Sequence, residues 1–229
     1  MKFGIIAAME EELKTLLMAL QDKEEVIVLG KTYYAGHIGQ HEVVLVQSGI
    51  GKVMSAMSVA ILAETFAVDT IINTGSAGAV AQGLAIGDVV IADCLVYHDV
   101  DVTAFGYAFG QMAGQELYYQ ADQTLMARLQ EVLNQQGIHS HVGLIATGDS
   151  FIAGQEKVDV IKEHFPEVLA VEMEGAAVAQ AAQAAGKPFL VIRAMSDTAQ
   201  GDANITFDEF VVEAGKRSAN TLLTLLTSY

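Results

Sequence analysis

The chain reads as an α/β domain with a twisted, mostly parallel, mixed central sheet flanked by helices. Three observations lead there. Short runs such as Phe3–Ala8, Thr70–Thr74 and Pro188–Ala194 are apolar or β-branched almost throughout, as strands covered on both faces must be. Other stretches carry apolar residues at helical spacing, the first being Leu13, Leu16, Leu17 and Leu20. The two kinds alternate along the chain, an order that lays helices over both faces of a parallel sheet.

Phe3–Ala8 is the first strand, and Glu11–Leu20 the first helix. Val26–Leu29, Thr32–Ile38 and Glu42–Gln47 follow as strands punctuated by Gly30, Gly36 and Gly39. Ser48-Gly49-Ile50-Gly51-Lys52 breaks the pattern before an alanine-rich helix over Val53–Phe66. Thr70–Thr74 is a strand that ends in Gly75-Ser76-Ala77-Gly78. Asp88–Tyr97 is the next strand and leads into a long polar and aromatic loop, His98–Ala121. Leu125–Gln136 is an amphipathic helix stopped by Gly137, and His141–Ala146 is a strand. Ala170-Val171 precedes the helix Gly175–Ala185, which Gly186 stops. Pro188–Ala194 is a strand broken only by Arg193, and Phe207–Leu226 is the last helix.

The 229 residues contain two prolines and no Ser/Gly/Pro tract, so one domain spanning 1–229 is expected. The apolar share, 52%, is more than one core requires, which points to a surface covered by a second copy, most simply in a two-fold dimer. A net charge of −16 with three arginines disfavours nucleic acid and anionic membranes as partners. Cys94 is the only cysteine, so no intrachain disulfide forms and a reducing, cytoplasmic setting is expected. Met1–Met9 runs straight into three glutamates, which reads as a buried first strand rather than a signal peptide.

Three carboxylates stand where the chain leaves expected strands: Glu12, Glu174 and Asp197. Ligands of open α/β sheets collect at the carboxyl ends of the strands. Carboxylates gathered there can act as general acid, general base and hydroxyl clamp, a division of labour suited to breaking a sugar's anomeric bond. Each has an ordinary alternative. Glu12 in a first helical turn serves equally as a dipole partner, and Ser196-Asp197 as a capping pair. Arg193, a lone charge in an apolar strand, either orients Glu174 or Glu12 or forms a structural ion pair elsewhere. Glu172 reads as a support or water ligand. Gly75-x-x-Gly78 is neither a dinucleotide fingerprint nor a P-loop. His98-x-x-Asp101 and His139-x-His141 lack the further ligands of a zinc site, so no metal and no cofactor are expected.

The segments Gly4–Glu12, Ser48–Val53, Asn73–Gly78, Tyr97–Tyr107, Thr147–Ile152, Val171–Ala176, Arg193–Asp197 and Thr206–Phe210, in that order, resemble the 5′-methylthioadenosine/S-adenosylhomocysteine nucleosidases of the nucleoside phosphorylase superfamily. The resemblance implies a dimer that hydrolyses such nucleosides to adenine and a thioribose. It carries over Glu12 and Asp197 as catalytic, Met173 and Glu174 as ribose-binding, Gly78 and Ile152 as binding positions, and Phe151 as the ring stacked on adenine. Met9, Ile50 and Phe207 would form the apolar end for a 5′-thioether, with Val102 and Phe105 reaching in from the partner. Ser76 and Ser196 are expected beside Asp197, whose acid form burial among Met195 and Phe189 would favour. Ala79, Met195 and Ala113 depart from the family pattern. Glu10-Glu11-Glu12 in the first crossover, and Asn73 rather than arginine before Gly75, leave no cradle for a phosphate dianion, so water is the expected nucleophile rather than phosphate.

Overall fold

The computed structural model describes residues 1–199 and 203–228. Its strands are β1 (Lys2–Ala7), β2 (Gln21–Val28), β3 (Lys31–Ile38), β4 (His41–Gln47), β5 (Thr70–Ala79), β6 (Val89–Tyr97), β7 (Tyr119–Gln120), β8 (Ser140–Thr147), β9 (Ala170–Glu172) and β10 (Phe189–Asp197). Its helices are α1 (Glu10–Ala19), α2 (Lys52–Glu64), α3 (Gln123–Gln135), α4 (Gln155–His164), α5 (Gly175–Ala184) and α6 (Ala203–Thr227).

The sheet is mixed, and the parallel pairings run through its centre, β4 to β1 to β5 to β10. One end is the antiparallel meander β2–β3–β4. The other end curls back on itself. β10 pairs with β6, β6 with β8, β8 with β9, and β9 returns to β5. The five strands β5, β10, β6, β8 and β9 thus close a ring, and β5 is the seam where ring and open sheet meet.

Side chains alternate across the sheet with the period of two that a strand imposes. Ile6 joins the core beneath α2 and α5, whereas Phe3, Ile5 and Ala7 join the core beneath α1, α3 and α6. β10 does the same, with Phe189, Val191 and Met195 on one side and Leu190 and Ile192 on the other. A third cluster holds α4 to the ring through Val158, Ile161 and Phe165.

Several elements differ from the sequence-based expectation. β2 begins at Gln21 rather than Val26, because a largely exposed edge strand paired to β3 can be built from charged residues that carry no hydrophobic alternation. α4 has no counterpart in the expected elements, since only Val158 and Ile161 of its ten residues are buried. The strand expected to end at Thr74 runs on: β5 continues to Ala79, pairing with β10 from Gly75 to Gly78 and with β9 at Gly78 and Ala79. β10 also runs three residues past Ala194, with a bulge between Met195 and Asp197 that re-aims the last side chain. Among the described residues no helix is long and apolar enough to cross a membrane.

Candidate active site

A cavity of about 340 Å³ opens at the carboxyl ends of β1, β5, β9 and β10. Ala8, Met9 and Glu12 come from the end of β1 and the start of α1, and Ile50 from the turn before α2. Ser76, Ala77 and Gly78 come from β5, and Ser150, Phe151 and Ile152 from the turn after β8. Val171 to Glu174 come from β9 and the turn after it, Ser196 and Asp197 from β10, and Phe207 from α6.

Glu12 is the third residue of α1, and its carboxylate reaches back over the helix start in the manner of a capping-box acid. Oε2 accepts from the backbone N–H groups of Ala8 (2.9 Å) and Met9 (3.1 Å). Oε1 accepts from the Ser76 N–H and hydroxyl, both at 2.9 Å. Four donors therefore fix a side chain that is 3% exposed. Ser76 stands on Glu12, not beside Asp197 as the sequence suggested: in the β5–β10 register Ser76 faces Ala194, whereas Gly78 faces Asp197.

Asp197 is equally buried. Its Oδ1 accepts from the Ala199 N–H at 2.7 Å and its Oδ2 from the Ser196 hydroxyl at 3.0 Å. Phe189 is no neighbour of it, lying at the opposite end of β10, about 26 Å away at the rise of a strand. The glycines of β5 make room for the two acids. A Cβ at position 75 would stand 2.7 Å from Glu12 Oε1, and one at position 78 would stand 2.8 Å from Asp197 Oδ1. Three residues of strand, about 10 Å, separate these two positions.

Glu174 is the N-cap residue of α5. Its Oε1 accepts from the Gly51 N–H at 3.0 Å, and its Oε2 lies 3.5 Å from Arg193 Nη2. Burial first, and then the neighbouring Glu172 carboxylate, push its carboxyl up to about 8. Glu172 goes the other way. Burial alone would raise it, but Arg193, the Thr147 hydroxyl and the Gly175 N–H together hold it below the usual carboxylate range. Arg193 is thus primarily the partner of Glu172 and of Asn73 Oδ1 (2.6 Å), touches Glu174 only at longer range and does not reach Glu12. Its guanidinium is 1% exposed and lies behind the cavity wall rather than in it.

The protonation of Glu174 has a measurable consequence for the ligand-free protein. Its carboxyl lies above the ordinary 4.5, so the folded chain holds a proton that the unfolded chain releases. That stabilisation is complete below about 4.5 and is lost as pH rises through about 8. Between about pH 6 and pH 9 the Tm is expected to fall, and to fall less steeply in Glu174→Gln. Equal slopes in thermal unfolding would reject the shift.

Phe151 is 40% exposed and meets Phe207 edge to face at 5.4 Å. With Ile50, 55% exposed, and Met9 they form the apolar, open end of the cavity. Val102 and Phe105 do not line it within one chain; Phe105 is 82% exposed in a 3-10 turn outside it. Thr206 begins a motif whose first side chain lies outside the described residues. Sequence reasoning did not single out Ala8, Ala77, Ser150 or Val171 as lining residues. Ala8, Ala77 and Ser150 each adjoin a residue it did choose, and Val171 adjoins Glu172, which it read as a support and which also lines the cavity. His98 packs against Gly148, and His141 faces Asp88 at 3.7 Å, both outside the cavity. Among the described residues the cavity wall contains neither lysine nor arginine.

A buried carboxylate triad at the strand ends of a ring-closed α/β sheet offers one cavity the acid, base and hydroxyl clamp that breaking an anomeric bond requires. The chain belongs to the phosphorylase superfamily, whose family model matches residues 2–227. A 5′-methylthioadenosine/S-adenosylhomocysteine nucleosidase of Geobacillus thermodenitrificans is 46% identical over 99% of this chain and 97% of its own length. The S-adenosylhomocysteine nucleosidase of Streptococcus pyogenes, solved with 5-methylthiotubericidin, superposes with a TM-score of 0.98 at 68% identity, covering 100% of this chain and 97% of the other. The 5′-methylthioadenosine/S-adenosylhomocysteine nucleosidase of Streptococcus pneumoniae, bound to a transition-state inhibitor, gives 0.97 at 66% identity, with 99% of each chain covered.

Proposed function

We propose that the chain hydrolyses the N-glycosidic bond of 5′-methylthioadenosine and S-adenosylhomocysteine, releasing adenine and the 5′-thioribose. Such a step serves methionine salvage and removes by-products of S-adenosylmethionine chemistry. The observation that carries this reading is one cavity walled by Glu12, Glu174, Asp197 and Phe151 together. Phe151 stacks on adenine, with Ile152 and Gly78 beside the ring. Asp197, protonated, gives its proton to N7 as the bond to the ribose stretches, and the Ser196 hydroxyl and Ala199 N–H hold its carboxyl group in place. Glu12 takes a proton from water, which attacks the anomeric carbon. Met173 and Glu174 meet the ribose, Glu174 exchanging hydrogen bonds with its 2′- and 3′-hydroxyls.

The wall supports hydrolysis over phosphorolysis. A phosphate dianion needs cations or free helix-end amides, and the nearest guanidinium is spent on Glu172 and Asn73. No cofactor enters this scheme. The open apolar end at Met9, Ile50 and Phe207 takes the 5′-thioether. The exposed Val53 and Phe105, at 68% and 82%, suit coverage by a second copy, whose Val102 and Phe105 then complete the pocket. A monomer in light scattering would remove that part. We place the enzyme in the cytoplasm, where its single free cysteine is at home.

Adenine is expected from methylthioadenosine and S-adenosylhomocysteine at equal rates with and without phosphate. Inosine should stay intact, because its 6-oxo group cannot donate to Asp197. Chromatography showing strict phosphate dependence, or intact nucleoside after long incubation, would reject the reading.

A further inference from the structure

Glu174 is held by a turn whose backbone donors are satisfied from outside the helix they open. A helix start leaves its first N–H groups without partners in the helix. Here the N–H groups of Glu174 and Gly175 donate to Glu172 Oε2 at 3.0 and 2.7 Å. The Ala176 N–H donates to Thr147 Oγ1 at 2.8 Å, and the Thr147 hydroxyl donates in turn to Glu172 Oε1. Arg193 Nη2 donates to Glu172 Oε2 and to Asn73 Oδ1. Asn73 Nδ2 then donates to the Ile6 carbonyl at 3.0 Å. Ile6 lies two residues before Ala8, whose N–H holds Glu12.

Every side chain in this series is buried, Asn73 and Thr147 completely. The series crosses six elements: β1, β5, β10, β9, β8 and the turn into α5. Neither end residue lines the cavity, and neither has a part in the scheme above. Removing one member of a buried network of this kind is costly, because the partner it leaves behind loses its hydrogen bond away from water.

We propose that Thr147 and Asn73 are positioning residues, the two ends of a brace that fixes the Met173–Glu174 turn relative to β1, the strand that leads to the backbone donors of Glu12. The inference rests on the reading of the cavity as a nucleoside site. Its specific content is that the brace serves the ribose side. The proposed adenine contacts, Phe151 and Asp197, stand on the turn after β8 and on the end of β10, and no hydrogen bond of the brace reaches either side chain.

The test separates those two sides. Thr147→Val keeps the shape and removes the hydroxyl. It is expected to raise the KM for methylthioadenosine on the order of tenfold, the effect of about one buried hydrogen bond, while the inhibition constant of adenine, which has no ribose, stays within about twofold. Thr147→Ser restores the hydroxyl and should restore the KM. Asn73→Ala loosens Arg193 from the far end and should reproduce the split; it decides the matter alone if circular dichroism shows Thr147→Val unfolded. Parallel loss of adenine and nucleoside affinity, an unchanged KM, or a serine variant as impaired as valine overturns the proposal. Wild-type release of adenine is measured beside these variants. Its absence would reject the nucleosidase reading itself, whereas its presence without the split rejects only the brace.

Discussion

Asp197→Asn is expected to lower turnover by roughly a hundredfold or more while leaving substrate affinity largely intact. The described contacts of Asp197 accommodate the amide. Asp197 Oδ1 faces the Ala199 N–H, so the amide oxygen of asparagine takes that place and keeps the 2.7 Å bond. The amide nitrogen then replaces Oδ2 beside the Ser196 hydroxyl, which can turn and accept where it formerly donated. The close fit against Gly78 is unchanged, because the two side chains have nearly the same shape. An amide can still hydrogen-bond N7, so the nucleoside stays bound. It cannot transfer a proton, so adenine has to leave as a poor anionic leaving group. Near-normal turnover of the purified variant would refute the acid role of Asp197.

The local reason Asp197 can hold this position was only partly legible in the sequence. Its place in the cavity depends on β5, and the sequence pattern ended that strand at Thr74. Glycines in a short β-branched run normally signal a turn, and nothing local shows that two carboxylates from elsewhere occupy the missing Cβ positions. The same blindness set Ser76 beside Asp197, since register between distant strands is not written in either one. Arg193 was recognisable as a buried charge. Its choice of Glu172 over Glu174 depends on Thr147 and Asn73, polar residues that look ordinary within apolar strands. What the sequence did carry was the series of apolar runs and acids at strand ends. Alternation and burial are local properties, and they located β1, β4, β5, β6, β8 and β10. Ring closure by β9 was illegible, because three residues, Ala170–Glu172, carry too little pattern to reveal two partners.

Glu12→Gln is expected to reduce turnover by roughly a hundredfold or more, but unlike the change at Asp197 it should also destabilise the fold. Both oxygens of Glu12 are acceptors, each facing two donors. An amide nitrogen in place of Oε2 would meet the N–H groups of Ala8 and Met9, and neither can accept. In place of Oε1 it meets the Ser76 N–H as well, although the Ser76 hydroxyl can turn to accept. The second arrangement is the less costly one, and it leaves one buried N–H opposed by another donor, a loss of about 1–3 kcal/mol. A fall in Tm together with the fall in turnover is therefore the expected signature. Gly75→Ala separates position from chemistry: it keeps the glutamate but sets a Cβ 2.7 Å from Oε1, so the carboxylate must move or the strand must shift. Turnover should fall there too, with the carboxylate still able to take a proton. If Gly75→Ala matched wild type, water activation would tolerate a displaced acid, and the four donors around Glu12 would be serving the helix start instead of the reaction.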